Sequence, residues 1–380
     1  MSRKGTLGVA VALFALSLGS ARAEEAKAPL QIGGFVDVYY GSNFNDPKSQ
    51  TNGGSNFDFR DSTFSLNLAE VVFQKGADPV GFRVDLNFGE TTDWIHCGGT
   101  FISGVPSCDE KTSGEEPYEH LQQAYLTWAS PQGITFDMGK FVTHMGAEVI
   151  ESKDNWNYTR GFLFAWAIPY YHAGLRANWP ISDKVFANAY VYNGWNNVVE
   201  QVRTLPNGDV ETDDSKTYGA QIGLTPTPAF PVLLNWIGPE DGLFGPDADR
   251  DVYEAIATWH VNSEVSLMAD YNYGRQDGGP GIGRQTYNGL ALYGRWMKNP
   301  CAFAVRYETT DDDDNLMYGT GLSPKVKEFT LTAEHKVAQN MVVRVEYRHD
   351  AADEDVFEDD KGLPTEDSQN RVVAGLIYSF

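Results

Sequence analysis

The chain has 380 residues, 52 of them acidic and 29 basic, for a formal net charge of −23. That excess of acid excludes a nucleic-acid binder reading a polyanion through a basic surface. With 21% charged and 13% aromatic residues, the chain is not a disordered acidic segment either.

Arg3 and Lys4 precede an apolar run, Val9 to Leu18, that is too short to span a bilayer, and Ala21-Arg22-Ala23 supplies a small-x-small cleavage pattern. Residues 1–23 therefore read as a secretory signal peptide, cut after Ala23 on a Sec-type export route. The cut removes Arg3, Lys4 and Arg22 and no acid, leaving 26 basic against 52 acidic side chains. No later stretch approaches the ~18 apolar residues of a membrane-spanning helix. An exported chain of this kind is either soluble or a barrel whose strands conceal their hydrophobicity by alternation. Cys97, Cys108 and Cys301 are too few for a disulfide scaffold. Cys97 and Cys108 share one Gly-rich connection and can bridge in an oxidising compartment, which leaves Cys301 alone. No metal-ligand spacing links them.

From residue 31 onward the pattern has period two. Sixteen alternating segments follow in chain order: 31–41, 62–74, 79–89, 120–129, 133–141, 171–179, 184–194, 216–226, 229–237, 252–260, 263–273, 287–297, 300–309, 326–336, 339–349 and 370–380. In the third, Phe82, Val84, Leu86 and Phe88 alternate with Arg83, Asp85 and Asn87. In the last, Val372, Ala374, Leu376, Tyr378 and Phe380 alternate with Arg371, Val373, Gly375, Ile377 and Ser379. One apolar and one polar face is the signature of an antiparallel strand half-buried in apolar surroundings. The second segment slips near Ala69 to Val71, as a bulge would make it.

Connections alternate between short turns, such as Lys75-Gly76-Ala77-Asp78 and Val337-Ala338, and long loops at 42–61, 90–119, 142–170, 195–215, 238–251, 274–286, 310–325 and 350–369. Pro206-Asn207-Gly208-Asp209 is a hairpin turn that would fold the 195–215 loop into a ribbon. Short turns at one end and long loops at the other describe an all-β, transmembrane antiparallel barrel of about 16 strands, with both termini on the short-turn, periplasmic side and the long loops outside the cell. The barrel would be a single domain over 24–380. A soluble sandwich has no reason to alternate its loops so strictly or to leave a charged face on every strand.

If the apolar face meets lipid, the lumen receives Arg83, Arg176, Arg295, Arg306, Lys336, Arg344, Arg348 and Arg371, together with Asp37, Asp85, Asp137, Glu254, Asp270, Glu308, Glu328, Glu334 and Glu346. Burying so many unpaired ions is costly, so the interior is either water-filled or a dense network of ion pairs. The expected pore wall is Arg83, Asp85, Arg306, Arg344, Glu346, Arg348 and Arg371. The 142–170 loop is too aromatic for an exposed loop, with Trp156, Tyr158, Phe162, Phe164 and Trp166 in need of burial. Folded into the barrel, it would constrict the pore and offer Glu148, Glu151, Asp154 and Arg160 to the lumen. Carboxylates facing arginines across a gap create a transverse field that selects polar solutes. The alternative is that these aromatics pack on the barrel rim or at a subunit contact.

The motifs Gly33-Gly34-Phe35-Val36-Asp37-Val38-Tyr39-Tyr40, Gly139-Lys140-Phe141, Gly146-Ala147-Glu148, Asn155-Trp156-Asn157-Tyr158-Thr159-Arg160, Pro169-Tyr170-Tyr171-His172-Ala173-Gly174 and Tyr192-Asn193-Gly194-Trp195 resemble those of the OmpL-like β-barrel porins. The resemblance is strongest over 31–195. It implies a channel in the outer membrane of a Gram-negative cell and assigns no functional residues. Phe380, with Tyr378 and Leu376 at alternate positions, also resembles the C-terminal signal that outer-membrane barrels present to the barrel-assembly machinery.

The acidic runs Asp311 to Asp314, Asp350 to Asp360, and Asp247, Asp249 and Asp251 fall in long loops and read as solvated loop faces. A role in binding divalent cations that bridge outer-leaflet lipopolysaccharide phosphates is the alternative, although none matches a calcium-loop pattern. Catalytic triads, phosphate loops and dinucleotide fingerprints are absent from the sequence. The expectation is thus a porin for passive diffusion of small hydrophilic solutes and ions, without cofactor, metal or nucleic-acid partner, set in outer-membrane lipid; assembly as a homotrimer is implied by the resemblance to porins alone. A substrate-specific sugar channel using the loop aromatics, and a non-conducting barrel enzyme or structural surface protein, are the competing expectations. Acidic loops at the mouth would favour cations, and an arginine-controlled constriction would favour anions.

Overall fold

The alternation is realised strand by strand, and the last strand returns to pair with the first. The computed structural model describes residues 29–102, 118–199, 202–204, 210–212, 215–242, 245–277 and 283–380. Sixteen strands form one closed antiparallel barrel: β1 (Gln31–Asn43), β2 (Phe64–Lys75), β3 (Val80–Phe88), β4 (Leu121–Ala129), β5 (Thr135–Val142), β6 (Tyr171–Ser182), β7 (Val185–Tyr192), β8 (Thr217–Leu224), β9 (Val232–Gly242), β10 (Gly245–His260), β11 (Val265–Gln276), β12 (Gln285–Lys298), β13 (Cys301–Asp311), β14 (Lys325–Ala338), β15 (Met341–Ala352) and β16 (Ser368–Ser379). β1 and β16 close the seam, with Val38 opposite Leu376 and Tyr40 opposite Ala374. Closure leaves no strand edge unpaired, as a lipid environment requires.

The apolar face points outward. Leu126, Met138, Leu175, Leu234, Leu292, Val305, Leu331 and Val345 are all exposed. Trp128, Trp179, Trp259 and Trp296 ring the short-turn end, and Tyr40, Phe64, Phe88 and Tyr218 lie towards the loop end. Aromatic side chains at both edges of an apolar belt place it across a bilayer.

The register departs from regularity where the interior is busiest. Asp37 pairs with Leu68 and Val38 with Leu66, so Asn67 is the extra residue of a bulge. The slip expected near Ala69 to Val71 therefore occurs two residues earlier, because the signal that marks it is the adjacent inward pair Asn67 and Leu68, both buried. A second bulge leaves Gln122 unpaired between Gln123 and Leu121 of β4. Each bulge turns an additional amide inward.

Three loop expectations are corrected. Residues 238–251 do not form a loop: β9 and β10 extend as a paired ribbon to Gly242 and Gly245. Asp249 and Asp251 consequently lie on β10, and Asp251 accepts the Trp236 indole N–H at 3.0 Å and pairs with Arg275 at 2.9 Å. The long connection after β3 begins with a helix, α1 (Glu90–Cys97). The acidic runs are only partly solvated: Asp312 is buried and accepts the backbone N–H groups of Leu316, Met317 and Tyr318 at 2.8 to 3.0 Å, while buried Asp350 bridges Arg348 and Arg371. The 195–215 connection does contain a ribbon, Val202–Thr204 against Val210–Thr212. Its expected turn at 206–209, the expected signal peptide over 1–23 and Cys108, the expected partner of Cys97, lie outside the described residues; Cys301 is a free thiol.

Apolar packing inside the barrel sits mainly in the loop-end half. Phe57, Phe59, Trp94, Phe101, Phe162, Phe164, Tyr170, Tyr318 and Phe357, from five connections, form one buried cluster. Phe101 is its hub, with ring centroids 4.4 Å from Tyr318, 5.5 Å from Trp166, 5.8 Å from Phe162 and 6.2 Å from Phe357.

Candidate functional site

A chain segment inside a barrel carries backbone N–H and C=O groups that must find partners away from bulk water. The connection from β5 to β6, residues 143–170, lies in this position. It bonds to strands all around the barrel, which only a segment in the lumen can do. Glu254 of β10 accepts the Gly146 N–H at 2.9 Å. Glu308 of β13 accepts from Phe162 at 2.5 Å and Leu163 at 2.6 Å. Glu346 of β15 accepts from Tyr158 at 2.6 Å and Thr159 at 3.0 Å. Asp37 of β1 accepts the Ser152 hydroxyl at 2.6 Å and the Tyr158 hydroxyl at 2.9 Å.

The wall arginines hold the carbonyl side of the same segment. Arg306 donates to the Thr159 carbonyl at 2.7 Å while pairing with Glu148 at 2.6 Å and Glu328 at 2.7 Å. Arg348 donates to the Arg160 carbonyl at 2.6 Å, and Arg344 to the Ser152 carbonyl at 2.5 Å. Arg371 plays the same part for the first long loop, pairing with Asp58 at 2.7 Å and bonding the Ser55 hydroxyl. Charge-assisted bonds of this kind are roughly twice as strong as neutral ones. The ladder on β13 to β16 therefore works as a set of straps.

Inward-facing glycines provide sockets for the plug. A Cβ on Gly375 would stand 2.4 Å from the Tyr158 ring, on Gly289 2.5 Å from Leu163, and on Gly219 2.8 Å from His144. A Cβ at these points would force the facing side chain of the plug to shift. Its position is thus fixed both by straps and by shape.

These contacts revise the expected pore residues. Arg306, Arg344, Glu346, Arg348 and Arg371 face inward as the alternation requires, and all five are at most 2% exposed. Arg306, Arg344, Glu346 and Arg348 bond to the plug, Arg344 at the edge of open space, and Arg371 bonds to the first long loop. Glu148 is buried too: it pairs with Arg306 and accepts the Gly161 N–H at 2.7 Å. Arg160 stays within the plug, bonded to the carbonyls of Val149, Tyr158 and Ile150, with its guanidinium 5.2 Å from the Phe57 ring centre. Tyr158, Phe162 and Phe164 are buried in the plug's own core, so they offer no stacking track to a sugar.

Of the remaining expected residues, Glu151, Asp154 and Arg83 line open space and Asp85 is buried. A cavity of about 1190 Å³ occupies the short-turn half of the lumen. Glu151 and Asp154 of the plug and Glu70 of β2 border it on one side, and Arg83, Arg176, Arg295 and Lys336 of the wall on others. Asp85 lies behind Arg83 at 2.9 Å, and Asp137 behind Arg176 at 2.7 Å. Burial raises the Glu151 carboxyl above its ordinary range, opposed by the Gln122 amide that donates to it at 2.5 Å. Gln122 and Asn67, the bulge amides, are functional neighbours that strand patterning does not single out. Only the slip in alternation near Ala69 hints at the second. Among the described residues no group of three or more His, Cys, Asp or Glu is placed to hold a metal ion.

At the C-terminus, Leu376 and Tyr378 face outward, and Phe380 exchanges backbone hydrogen bonds with Gly34 at 3.0 and 3.2 Å. Its ring packs over Gly34, where a Cβ would meet it at 2.7 Å. The last residue thus helps to close the seam.

A family model described as "Putative beta-barrel porin-2, OmpL-like" matches residues 29–380. No curated protein sequence matches the chain. Solved structures with a similar fold include an anion-selective porin from Comamonas acidovorans (TM-score 0.61, 11% identity, covering 93% of this chain and 100% of that one). Others are Salmonella typhi OmpF (0.59, 13%, 93% and 98%) and OmpT, an outer membrane protein of Vibrio cholerae (0.58, 12%, 94% and 100%). At these identities the likeness is one of fold.

Proposed function

Since the chain belongs to the OmpL-like β-barrel porins, and is an outer-membrane channel for passive diffusion, we propose that its solutes pass between the 143–170 plug and the charged wall. In this reading they cross the space that Glu151 and Asp154 border together with Arg83, Arg176, Arg295 and Lys336. The observation that carries this reading is the 1190 Å³ cavity, bordered by charges of both signs and open towards the short turns. Opposed charges across a wet gap hold water in order and favour small polar solutes over apolar ones of equal size. No bond is made or broken in this reading, and no enzymatic activity is assigned. Because the plug and four other loops pack into the loop-end half, the native single-channel conductance should be small.

Single-channel current from the refolded mature chain in a planar bilayer tests the proposal. Reproducible steps under a salt gradient are the expected result, and a folded barrel that stays silent would overturn it. Glu151→Gln together with Asp154→Asn should move the reversal potential towards anions by several millivolts, since each change removes one negative charge beside the passage. An unchanged reversal potential would remove the plug from the permeation path. Glu148 is left intact in this test because neutralising it would remove one of the two carboxylates paired with Arg306.

We further assign Phe380, Tyr378 and Leu376 to recognition by the barrel-assembly machinery, with insertion into lipopolysaccharide-bearing membrane as a trimer. Deleting Phe380 should lower the amount of folded barrel in the outer membrane several-fold. Normal levels would leave Phe380 with only its contact to Gly34.

A further inference from the structure

The charges around the inner cavity are unevenly distributed. On the wall formed by β12, β14 and β15, Arg295, Lys336 and Arg344 surround a single carboxylate, Glu334. Arg344 Nη2 reaches Glu334 at 2.8 Å, and Arg295 Nη2 reaches its other oxygen at 3.3 Å. Lys336 lies two residues further along the same face of β14, is exposed, and borders the same cavity. The other carboxylates bordering the cavity, Glu70, Glu151 and Asp154, belong to β2 and the plug, where Lys153 accompanies them. Three cations around one anion leave the β12–β15 corner with an excess of two positive charges.

We infer that this corner is an anion subsite, entered from the short-turn end, that takes small oxyanions such as carboxylates and phosphate. The inference rests on the channel reading and adds to it the class of solute that the inner chamber retains. Arg344 is pinned, because its guanidinium also holds the Ser152 carbonyl. Arg295 and Lys336 are the groups that can turn towards a ligand: the Arg295 side chain is 24% exposed, Lys336 is exposed, and both border the cavity. A guanidinium offers two parallel N–H donors to an oxyanion, and an ammonium adds a compact point charge. Both keep much of their hydration in a chamber of this size, so binding is weak enough for release, as conduction demands. A unit charge ~7 Å from a permeating ion in water changes its local concentration by about two- to threefold.

The experiment compares the wild-type mature chain with Lys336→Glu, Lys336→Gln and Arg295→Gln. Lys336 has no ion-pair partner among the described residues, so its replacement leaves the fold undisturbed, and heat-dependent gel mobility confirms that. In bilayers, chloride current is recorded with inorganic phosphate added on the short-turn side. The wild type should show current reduction at millimolar phosphate. Lys336→Glu should abolish it and lower the chloride-to-potassium permeability ratio about fourfold or more. Unchanged block and unchanged permeability in both Lys336→Glu and Arg295→Gln, with channel steps intact, would overturn the subsite and leave the channel reading standing. Broadening of the phosphorus resonance of phosphate by the folded barrel gives a readout that needs no conduction. If the channel is silent but broadening is present and lost in Lys336→Gln, the subsite stands and the channel reading falls. If broadening is absent in the wild type, the subsite falls.

Discussion

Replacing Arg306 with alanine should release the plug, raise the single-channel conductance several-fold and cost the seated state about 3–5 kcal/mol. Arg306 is fully buried and serves Glu148, Glu328 and the Thr159 carbonyl together. Without it, two carboxylates remain in the interior with no cation between them, and Glu308 lies close by. Water must then enter to solvate them, and the plug is the element able to move, since the wall strands are held by their ladders. Arg306→Lys should restore only part of the effect, because one ammonium cannot span three acceptors on two elements. Conductance and denaturant midpoint both equal to the wild type would show that the plug is seated without this strap.

The second large effect is expected from Phe101→Ala. Phe101 is wholly buried and meets rings from three other connections, at Phe162, Trp166, Tyr318 and Phe357. Truncating a buried phenylalanine costs about 3–5 kcal/mol when its neighbours cannot collapse into the void. Here the neighbours are fastened elsewhere: the Trp166 indole donates to the Gly54 carbonyl at 3.1 Å, and the Tyr318 hydroxyl bonds Thr310 at 2.5 Å. The cap should open locally while the barrel stays folded. Limited proteolysis from the loop side should cut within 312–324 or 353–367 in the variant at least tenfold faster than in the wild type. Equal cutting rates would mean that the loops are held independently of one another.

The two substitutions probe different parts of one design. Arg306 ties a loop to the wall through charge, and Phe101 ties loops to each other through apolar area. Both follow from the same constraint: irregular backbone inside a barrel needs fixed partners for its polar groups and a core for its side chains. The wall supplies the partners from β1, β10, β13, β15 and β16, and five loops supply the core.

Strand number, pairing order and lumen-facing residues were legible because a barrel strand repeats every two residues, and each inward charge is marked by its apolar neighbours. Arg306 between Val305 and Tyr307, and Glu346 between Val345 and Tyr347, can be assigned to the interior on local pattern alone. The aromatic content of 142–170 likewise demanded burial. What an inward charge meets is not local information. Glu148 and Arg306 are 158 positions apart, Tyr158 and Glu346 are 188 apart, and Arg371 reaches Asp58 across the seam. No periodicity couples such pairs, so of the expected pore wall Arg306, Arg344, Glu346, Arg348 and Arg371 hold the inner loops, Asp85 backs Arg83, and Arg83 borders open space together with Arg176, Arg295 and Lys336 from the wider set of inward charges. The bulge amides Asn67 and Gln122 were missed for a related reason, since a bulge is defined by the partner strand as much as by its own.

The sequence by itself determined that this chain is a barrel of about sixteen strands with an apolar exterior, a charged interior and a loop whose aromatics need burial, because each of these is written in alternation, loop length or composition. Only the tertiary structure decided which charges hold the plug and which border the cavity, because that choice depends on where the carbonyl and amide groups of a distant segment come to rest.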